Sequence, residues 1–333
     1  MKKIAVLGHH ISSPEIMNIS KNPVYAKQAL QLYNYTRVYD DKTNSLIDHD
    51  KYFKMKNNIK DRFSVWDLYL ASGLILASHL KRNNFEVQLF NTVDSSNETD
   101  FIKKVNIFSP EIIIFSTTFI LTKNQFTDTI RFLKKNFPDI FVLAGGQFIF
   151  TSLDKKDDRD QEKWLLETGC DGVVNDTQGE AALLDFCKGY PNDLKNVLNL
   201  VWKKSSNKVI VNVKRRENND INSTLIDFDF VPKNATAHMR TARSCSFKCS
   251  FCTYPSVAGP LSLMELEEAI SMLRHAKKNG IKQIIFADDT FNVPAERFEV
   301  FLDTIIAEEI NIPWYSFLRC QYINKEIVKK MKK

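Results

Sequence analysis

The sequence predicts an α/β protein: a doubly wound parallel sheet, then three further β/α units. Two observations carry this. Short apolar runs alternate with helical periods as far as residue 190, the pattern of strands covered on both faces by crossover helices. A second train of such runs starts at 237, after a polar stretch at 215–236.

The elements follow in order. Ile4–Leu7 reads as a buried strand ending at Gly8. Residues 9–63 form a long polar insertion with scattered tyrosines and a short helix expected near Ala26–Tyr33. Such an excursion reads either as a lid over a ligand or as a surface insertion. His9 and His10, just past the strand, face a ligand or take a plain surface role. Apolar residues at 66, 69, 70, 73, 76, 77 and 80 mark one face of a helix ending at Lys81-Arg82-Asn83-Asn84. Strand Phe85–Phe90, an amphipathic turn near Phe101–Phe108 and strand Ile112–Phe115 come next. Helix Gln125–Phe137 is stopped by Pro138, and strand Phe141–Ala144 runs into Gly145-Gly146. Gly172–Val174 is a short strand, Ala181–Lys188 a helix, and 196–214 a hairpin turned at Ser205-Ser206-Asn207.

The second half begins with strand Ala237–Thr241. Ser262 and Glu265 have the spacing of a capping box, before a helix with Leu266, Ala269, Ile270 and Leu273 on its inner face. Strand Ile281–Phe286, helix Ala295–Glu309, strand Trp314–Leu318 and a helix from Asn324 complete the pattern. The expected organisation is one domain at 1–214, a linker at 215–236 and a second domain at 237–333.

The chain has 333 residues, 44% of them hydrophobic, so it can bury two cores. Its net charge of +6 is spread along lysine-rich helices, which argues against a nucleic-acid tail but leaves room for an anionic substrate. The apolar run after Met1-Lys2-Lys3 is too short for a signal peptide, and no stretch spans a membrane without charge. Six cysteines, three of them clustered, suit a reducing cytosol better than a disulfide framework. A soluble cytoplasmic protein is expected.

In open parallel sheets, ligands bind beyond the carboxyl ends of the strands. Gly8, Ser116, Thr117, Gly145 and Gly146 are placed there. The paired glycines admit close backbone approach. The most informative stretch is Ser244–Cys252, which spaces Cys245, Cys249 and Cys252 as C-x3-C-x2-C. Three thiolates on one loop can hold three corners of a metal site. A structural zinc is the rival reading. It needs a fourth ligand, for which only His238 and Cys320 offer themselves, neither at familiar spacing.

The cysteine spacing, with Phe251 before the last cysteine, resembles the signature of the radical S-adenosylmethionine (SAM) superfamily. The resemblance implies that Cys245, Cys249 and Cys252 hold a 4Fe–4S cluster whose fourth iron binds SAM. It places the backbone near Phe251 by the adenine. Asp288 and Asp289, where the family commonly has G-G-E, fall at the contact with the methionine ammonium, and Arg319 pairs the carboxylate, the substrate or a structural partner. Residues 1–190 resemble the flavodoxin-like cobalamin-binding domain that precedes the radical domain in one class. No D-x-H-x-x-G string occurs, so the resemblance implies cobalamin with that axial face unligated. A domain that kept the fold without the cofactor stays open as the alternative.

The implied activity is reductive cleavage of SAM to a 5′-deoxyadenosyl radical, followed by cobalamin-dependent methyl transfer to an unactivated position. Asp288–Pro294 with Thr253-Tyr254-Pro255 is similar to a subgroup that includes phosphinate P-methyltransferases and peptide-modifying enzymes. Hydrogen abstraction leading to rearrangement or cross-linking, or a non-catalytic cofactor-binding module, are the other readings. Implied partners are a small-molecule or peptide substrate and a flavodoxin- or ferredoxin-like electron donor. Family members use a partial barrel of six units, whereas three precede Lys333. The expectation is a fragment, a truncated product or a chain completed by a partner, with strand three an open apolar edge.

Overall fold

The computed structural model describes residues 1–11, 37–40, 45–57, 68–94 and 97–333. The expected helix near Ala26–Tyr33 lies outside the described residues. Strand β1 is Lys3–His10. Strands β2 (Arg37–Asp40) and β3 (Ser45–Asp48) form an antiparallel hairpin ahead of a helix at His49–Asn57. Strand β1 then sits between β4 (Glu86–Val93) and β5 (Ile112–Ser116), parallel to both. Strands β6 (Phe141–Gly145) and β7 (Gly172–Val174) extend the sheet in parallel. The hairpin of β8 (Leu200–Ser205) and β9 (Lys208–Val211) adds an antiparallel edge. The spatial order is β4-β1-β5-β6-β7-β8-β9, so chain direction across the sheet reverses at β1.

Both faces are covered, as the uninterrupted apolar strands require. Ala5, Leu7, Ile113, Phe115, Val142 and Ala144 pack against helices Glu98–Phe108, Lys123–Asn136 and Asp158–Thr168. Their strand neighbours Ile4, Val6, Ile112, Ile114 and Leu143 point the other way, onto helices Ala71–Arg82 and Glu180–Gly189. Each fully buried Leu, Ile or Phe in these layers contributes about 1.5–3 kcal/mol. The helix Lys123–Asn136 is closed at its start by a capping box between Thr122 and Gln125.

A second, three-stranded parallel sheet has the order β10 (Thr236–Met239), β13 (Gln283–Phe286), β14 (Trp314–Tyr315). Between β10 and β13 lies a two-stranded antiparallel ribbon, β11 (Ala242–Arg243) with β12 (Ser262–Leu263). Helices Leu266–Lys278, Ala295–Ala307 and Lys325–Lys332 complete this half. The polar stretch from 215 folds into two 3₁₀ turns, Ile221–Thr224 and Phe228–Phe230, that bury Ile221, Ile226, Phe228 and Val231 in the second core.

Several local expectations are corrected. Strand β1 runs past Gly8 to His10, because Gly8 lets Asn91 of β4 approach: a Cβ there would stand 2.6 Å from the Asn91 carbonyl oxygen. The helix expected from Trp66 begins at Ala71, since Tyr69 is taken into strand pairing with Ala237. Ser262 is in β12, so it cannot cap; Glu265 is the N-cap, and its amide donates to Asn222 Oδ1. Strand three is two residues long. Tyr315 and Phe317 are exposed there, as an open edge implies.

His9 and His10 are buried instead of lying on the surface. His10 Nδ1 is 2.9 Å from Thr129 Oγ1, and its ring stacks on Phe132. Burial lowers the pKa of His9 to about 3 and of His10 to about 4, with Asp94 opposing the shift at His10. Below pH 6.5 the unfolded chain therefore binds protons that the native state refuses, so stability falls as pH falls until both folded values are passed. Going from pH 7.5 to 5.0 should remove up to about 2 kcal/mol per histidine. Urea unfolding at the two pH values checks this, and His10→Phe should remove about half of the difference.

Candidate functional site

The carboxyl ends of the two sheets meet around one cavity of about 260 Å³. From the first sheet its walls include Ser116, Gly145, Gly146 and the turn Asp176–Glu180, over an apolar floor of Ile114, Leu143, Val174 and Leu183. From the second half come Arg240 and Tyr254, which flank the cysteine loop on either side. Gly146 has φ 117°, and a Cβ there would lie 3.2 Å from Thr117 Oγ1. Thr117 stands behind this wall and is not among the residues lining the cavity. It is fully buried, its amide and hydroxyl both donate to the Gly145 carbonyl (2.8 and 2.9 Å), and so it shapes the glycine turn from behind.

Arg240 and Tyr254 carried no role in the sequence reading. Arg240 lies 3.8 Å from Glu180, a carboxyl group whose pKa burial raises. Asp176 holds the adjoining turn through the amides of Gln178 and Glu217. Nothing periodic marks these residues, and only the closure of the two halves on each other brings them together.

The cysteine loop leaves the second sheet after β10. Ser244, at φ 71°, turns the chain, and its hydroxyl donates to the Gly259 carbonyl at 2.5 Å. Cys245 and Cys249 are half-buried, while Cys252 and the side chain of Phe251 are exposed. The amide of Cys252 donates to the Cys249 carbonyl at 3.0 Å. Cys170 and Cys187 are buried elsewhere, and burial pushes both thiols up to about 12.

The loop is held from the side by residues 288–292. Asp288 is buried, and its carboxylate accepts from Thr241 N (2.7 Å), Thr241 Oγ1 (2.5 Å) and Ala242 N (3.0 Å). Both oxygens are thereby engaged in fixing the strand that feeds the loop. Asp289 is exposed, and partial burial together with Asp288 raises its pKa. Thr290 Oγ1 stands 3.5 Å from Cys245 Sγ. Phe291 stacks on Phe286 at 4.1 Å between centroids, anchoring the segment in the core. Asn292 is fully buried and brackets the backbone of Arg319, donating to its carbonyl (2.9 Å) and accepting from its amide (2.8 Å). The Arg319 guanidinium donates to Cys249 Sγ at 3.0 Å and lies 3.9 Å from the Phe247 ring centroid. The sequence reading passed over Thr290 and Asn292, although both stand in the string Asp288–Pro294.

Among the described residues, the trio of His, Cys, Asp or Glu whose donor atoms all fall within 4.8 Å of one another is Asp227, Asp229 and His275. Lys81 already pairs with Asp227 (2.6 Å) and Asp229 (3.3 Å) in the acidic trio.

Residues 239–333 match the family model of the Radical SAM superfamily. The resemblance drawn from the cysteine spacing is borne out. A solved structure of TsrM, a radical SAM methyltransferase from Kitasatospora setae with cobalamin and a [4Fe-4S] cluster bound, superposes with a TM-score of 0.57 at 12% identity, covering 99% of this chain and 57% of that one. OxsB, a cobalamin-dependent radical SAM enzyme, superposes at 0.54 and 19% identity over 79% of this chain and 38% of its own. At these identities the likeness is one of fold. An uncharacterized methyltransferase of Pyrococcus horikoshii is 24% identical over 276 residues, 78% of this chain. A putative methylthiotransferase of Methanocaldococcus jannaschii is 23% identical over 304 residues, 84% of this chain. The chain spans 57% and 60% of the lengths of these two relatives. Among the described residues no helix is long and apolar enough to cross a membrane.

The grip of Asp288 on the strand end that feeds the cysteine loop predicts a stability cost. Asp288→Ala leaves the buried Thr241 and Ala242 amides without an acceptor, which should cost about 2–4 kcal/mol in urea unfolding. Asp288→Asn keeps acceptor capacity and should cost less. Equal midpoints for wild type and Asp288→Ala would show that the loop is held by other contacts.

Proposed function

We propose that the chain is part or all of a radical SAM enzyme that joins a 4Fe–4S cluster to cobalamin and methylates an unactivated position of a small-molecule or peptide substrate. The observation that carries this reading is the shared cavity. Its walls join Gly145-Gly146 of the first sheet to Arg240 and Tyr254, which border the cysteine loop.

The residues present fit both groups. Cys245, Cys249 and Cys252 offer three thiolates from one loop, with the Arg319 cation against one sulfur. Gly146, at a φ that favours glycine, keeps side-chain bulk out of the cavity wall where part of a corrinoid would rest. When bound, the cluster supplies the electron that cleaves SAM and cobalamin carries the methyl group.

The protein residues then have distinct tasks. Cys245, Cys249 and Cys252 would ligate the cluster's iron as thiolates, and SAM would bind to the iron that they do not hold. Asp289, exposed beside the loop, is the better placed of the two aspartates to accept from the methionine ammonium, since Asp288 already holds three donors. The backbone near Phe251 lies by the adenine. Ser116, Gly145 and Gly146 line the corrinoid side. Arg240 and Tyr254 close the passage between the two groups and exclude water from it. A reducing cytosol suits a chain whose six cysteines include three clustered on one loop, and a flavodoxin- or ferredoxin-like donor would supply the electron there.

Anaerobic reconstitution should give about four irons per chain and, with dithionite and SAM, 5′-deoxyadenosine. Cys245→Ala, Cys249→Ala and Cys252→Ala should each abolish the nucleoside and lower the iron content. Zinc in place of iron, or full iron in the triple variant, would rule the reading out. Gly146→Val should lower cobalamin retention about tenfold, read from the corrin absorbance after gel filtration, with the iron content unchanged. Unaltered retention would move the corrinoid away from this wall.

A further inference from the structure

Asn292 does two things that no other side chain near the cysteine loop does. It is fully buried, and it satisfies both the amide and the carbonyl of one residue twenty-seven positions away. That residue, Arg319, follows the short strand β14, and its extended side chain would otherwise be free to sample many rotamers. With its backbone held, the guanidinium donates to Cys249 Sγ at 3.0 Å and lies over the Phe247 ring, 3.9 Å from its centroid. The stack on Phe247 and the bond to Cys249 engage the middle of the C-x3-C segment. Thr290, two residues before Asn292, stands 3.5 Å from Cys245 Sγ. Two of the three thiols are therefore addressed from the segment Thr290–Asn292, Cys245 directly and Cys249 by way of Arg319.

We propose that Asn292 is a positioning residue: it fixes the Arg319 cation on Cys249, and through it sets both the shape of the cysteine loop and the reduction potential of the cluster held there. This rests on the cluster reading of the loop. Reduction adds one negative charge to the cluster, and a fixed cation donating a hydrogen bond to a ligand sulfur favours the more negative state. The pair thus acts to raise the potential, and losing either partner lowers it. Because Asn292 acts through Arg319, the two effects are not additive.

The test compares wild type, Asn292→Leu, Asn292→Asp, Arg319→Gln and the double variant Asn292→Leu/Arg319→Gln, all as the full chain. In anaerobically reconstituted protein the midpoint potential is read by redox titration of the reduced-cluster electron paramagnetic resonance signal. Arg319→Gln should shift the oxidised-to-reduced ratio about tenfold toward oxidised at a given potential, which for one electron is about 59 mV more negative. Asn292→Leu should move it the same way by less, Asn292→Asp by less still, and the double variant no further than Arg319→Gln. A wild-type potential in Asn292→Leu, or additive shifts in the double variant, would overturn the proposal.

A second readout needs no iron. In metal-free protein, amide exchange at Phe247–Cys249 should rise severalfold in Asn292→Leu and in Arg319→Gln, without a further rise in the double variant. Unchanged exchange there overturns the clamp. Failure of wild type to bind iron overturns the function proposed above and leaves the clamp to be judged on exchange alone. Arg319 is partly exposed, so Arg319→Gln keeps both measurements available if substitution at the buried Asn292 prevents folding.

Discussion

Three residues splice the two halves of the molecule, and the cavity exists because of them. Asn91 on β4 brackets the chain at 68–70, donating to the Leu68 carbonyl (2.8 Å) and accepting from the Leu70 amide (2.9 Å). Between them, Tyr69 joins the second sheet as a one-residue strand: its amide donates to Thr236 O (2.8 Å), and its carbonyl accepts from His238 N (2.7 Å). The helix that follows, Ala71–Arg82, then serves both cores. Leu74 and Ile75 pack with the second, Ala77 and Leu80 with the first. On its outer side Ser78 accepts from the Asp227 amide, and Arg82 donates to the Leu225 and Ser223 carbonyls, strapping down the stretch between the sheets. Gly73 opposes Gly8 closely enough that a Cβ would stand 3.2 Å from the Gly8 Cα, which seats the helix directly on β1. The two sets of strand ends are thereby directed at one space.

Within that space the work is divided along a short segment. Asp288 and Asp289 are neighbours of the same type, yet one faces inward and is saturated by Thr241 and Ala242 while the other faces out. A charged group already holding three donors has little left to offer a ligand. The aromatic cluster beneath, Phe286, Phe291, Phe298, Phe301 and Trp314, makes the segment stiff enough to hold its neighbours.

How much of this was legible beforehand depended on whether the governing contacts were local. The alternation of apolar runs marked the strands of the main sheet, and three thiols within eight residues marked the loop, since both patterns are short-range. The Ser262/Glu265 spacing misled because the ribbon with Ala242–Arg243 outweighs a cap worth about 1 kcal/mol. Tyr69 was assigned to a helix because its partner lies at Ala237, far along the chain. Thr117 and Asp288 stand at strand ends as expected, yet sequence position says nothing of which way a side chain turns. Asn292 and Arg240 act across long separations and leave no periodic trace.

The two deeply set sulfurs, Cys170 and Cys187, have a bearing on assembly. Pushed up to about 12, they stay protonated and shielded in the ordinary cellular range. Outside the loop, Cys320 is therefore the one thiol that is exposed to an incoming metal. Concealment of Cys170 and Cys187 thus narrows the thiols that a soft metal can reach.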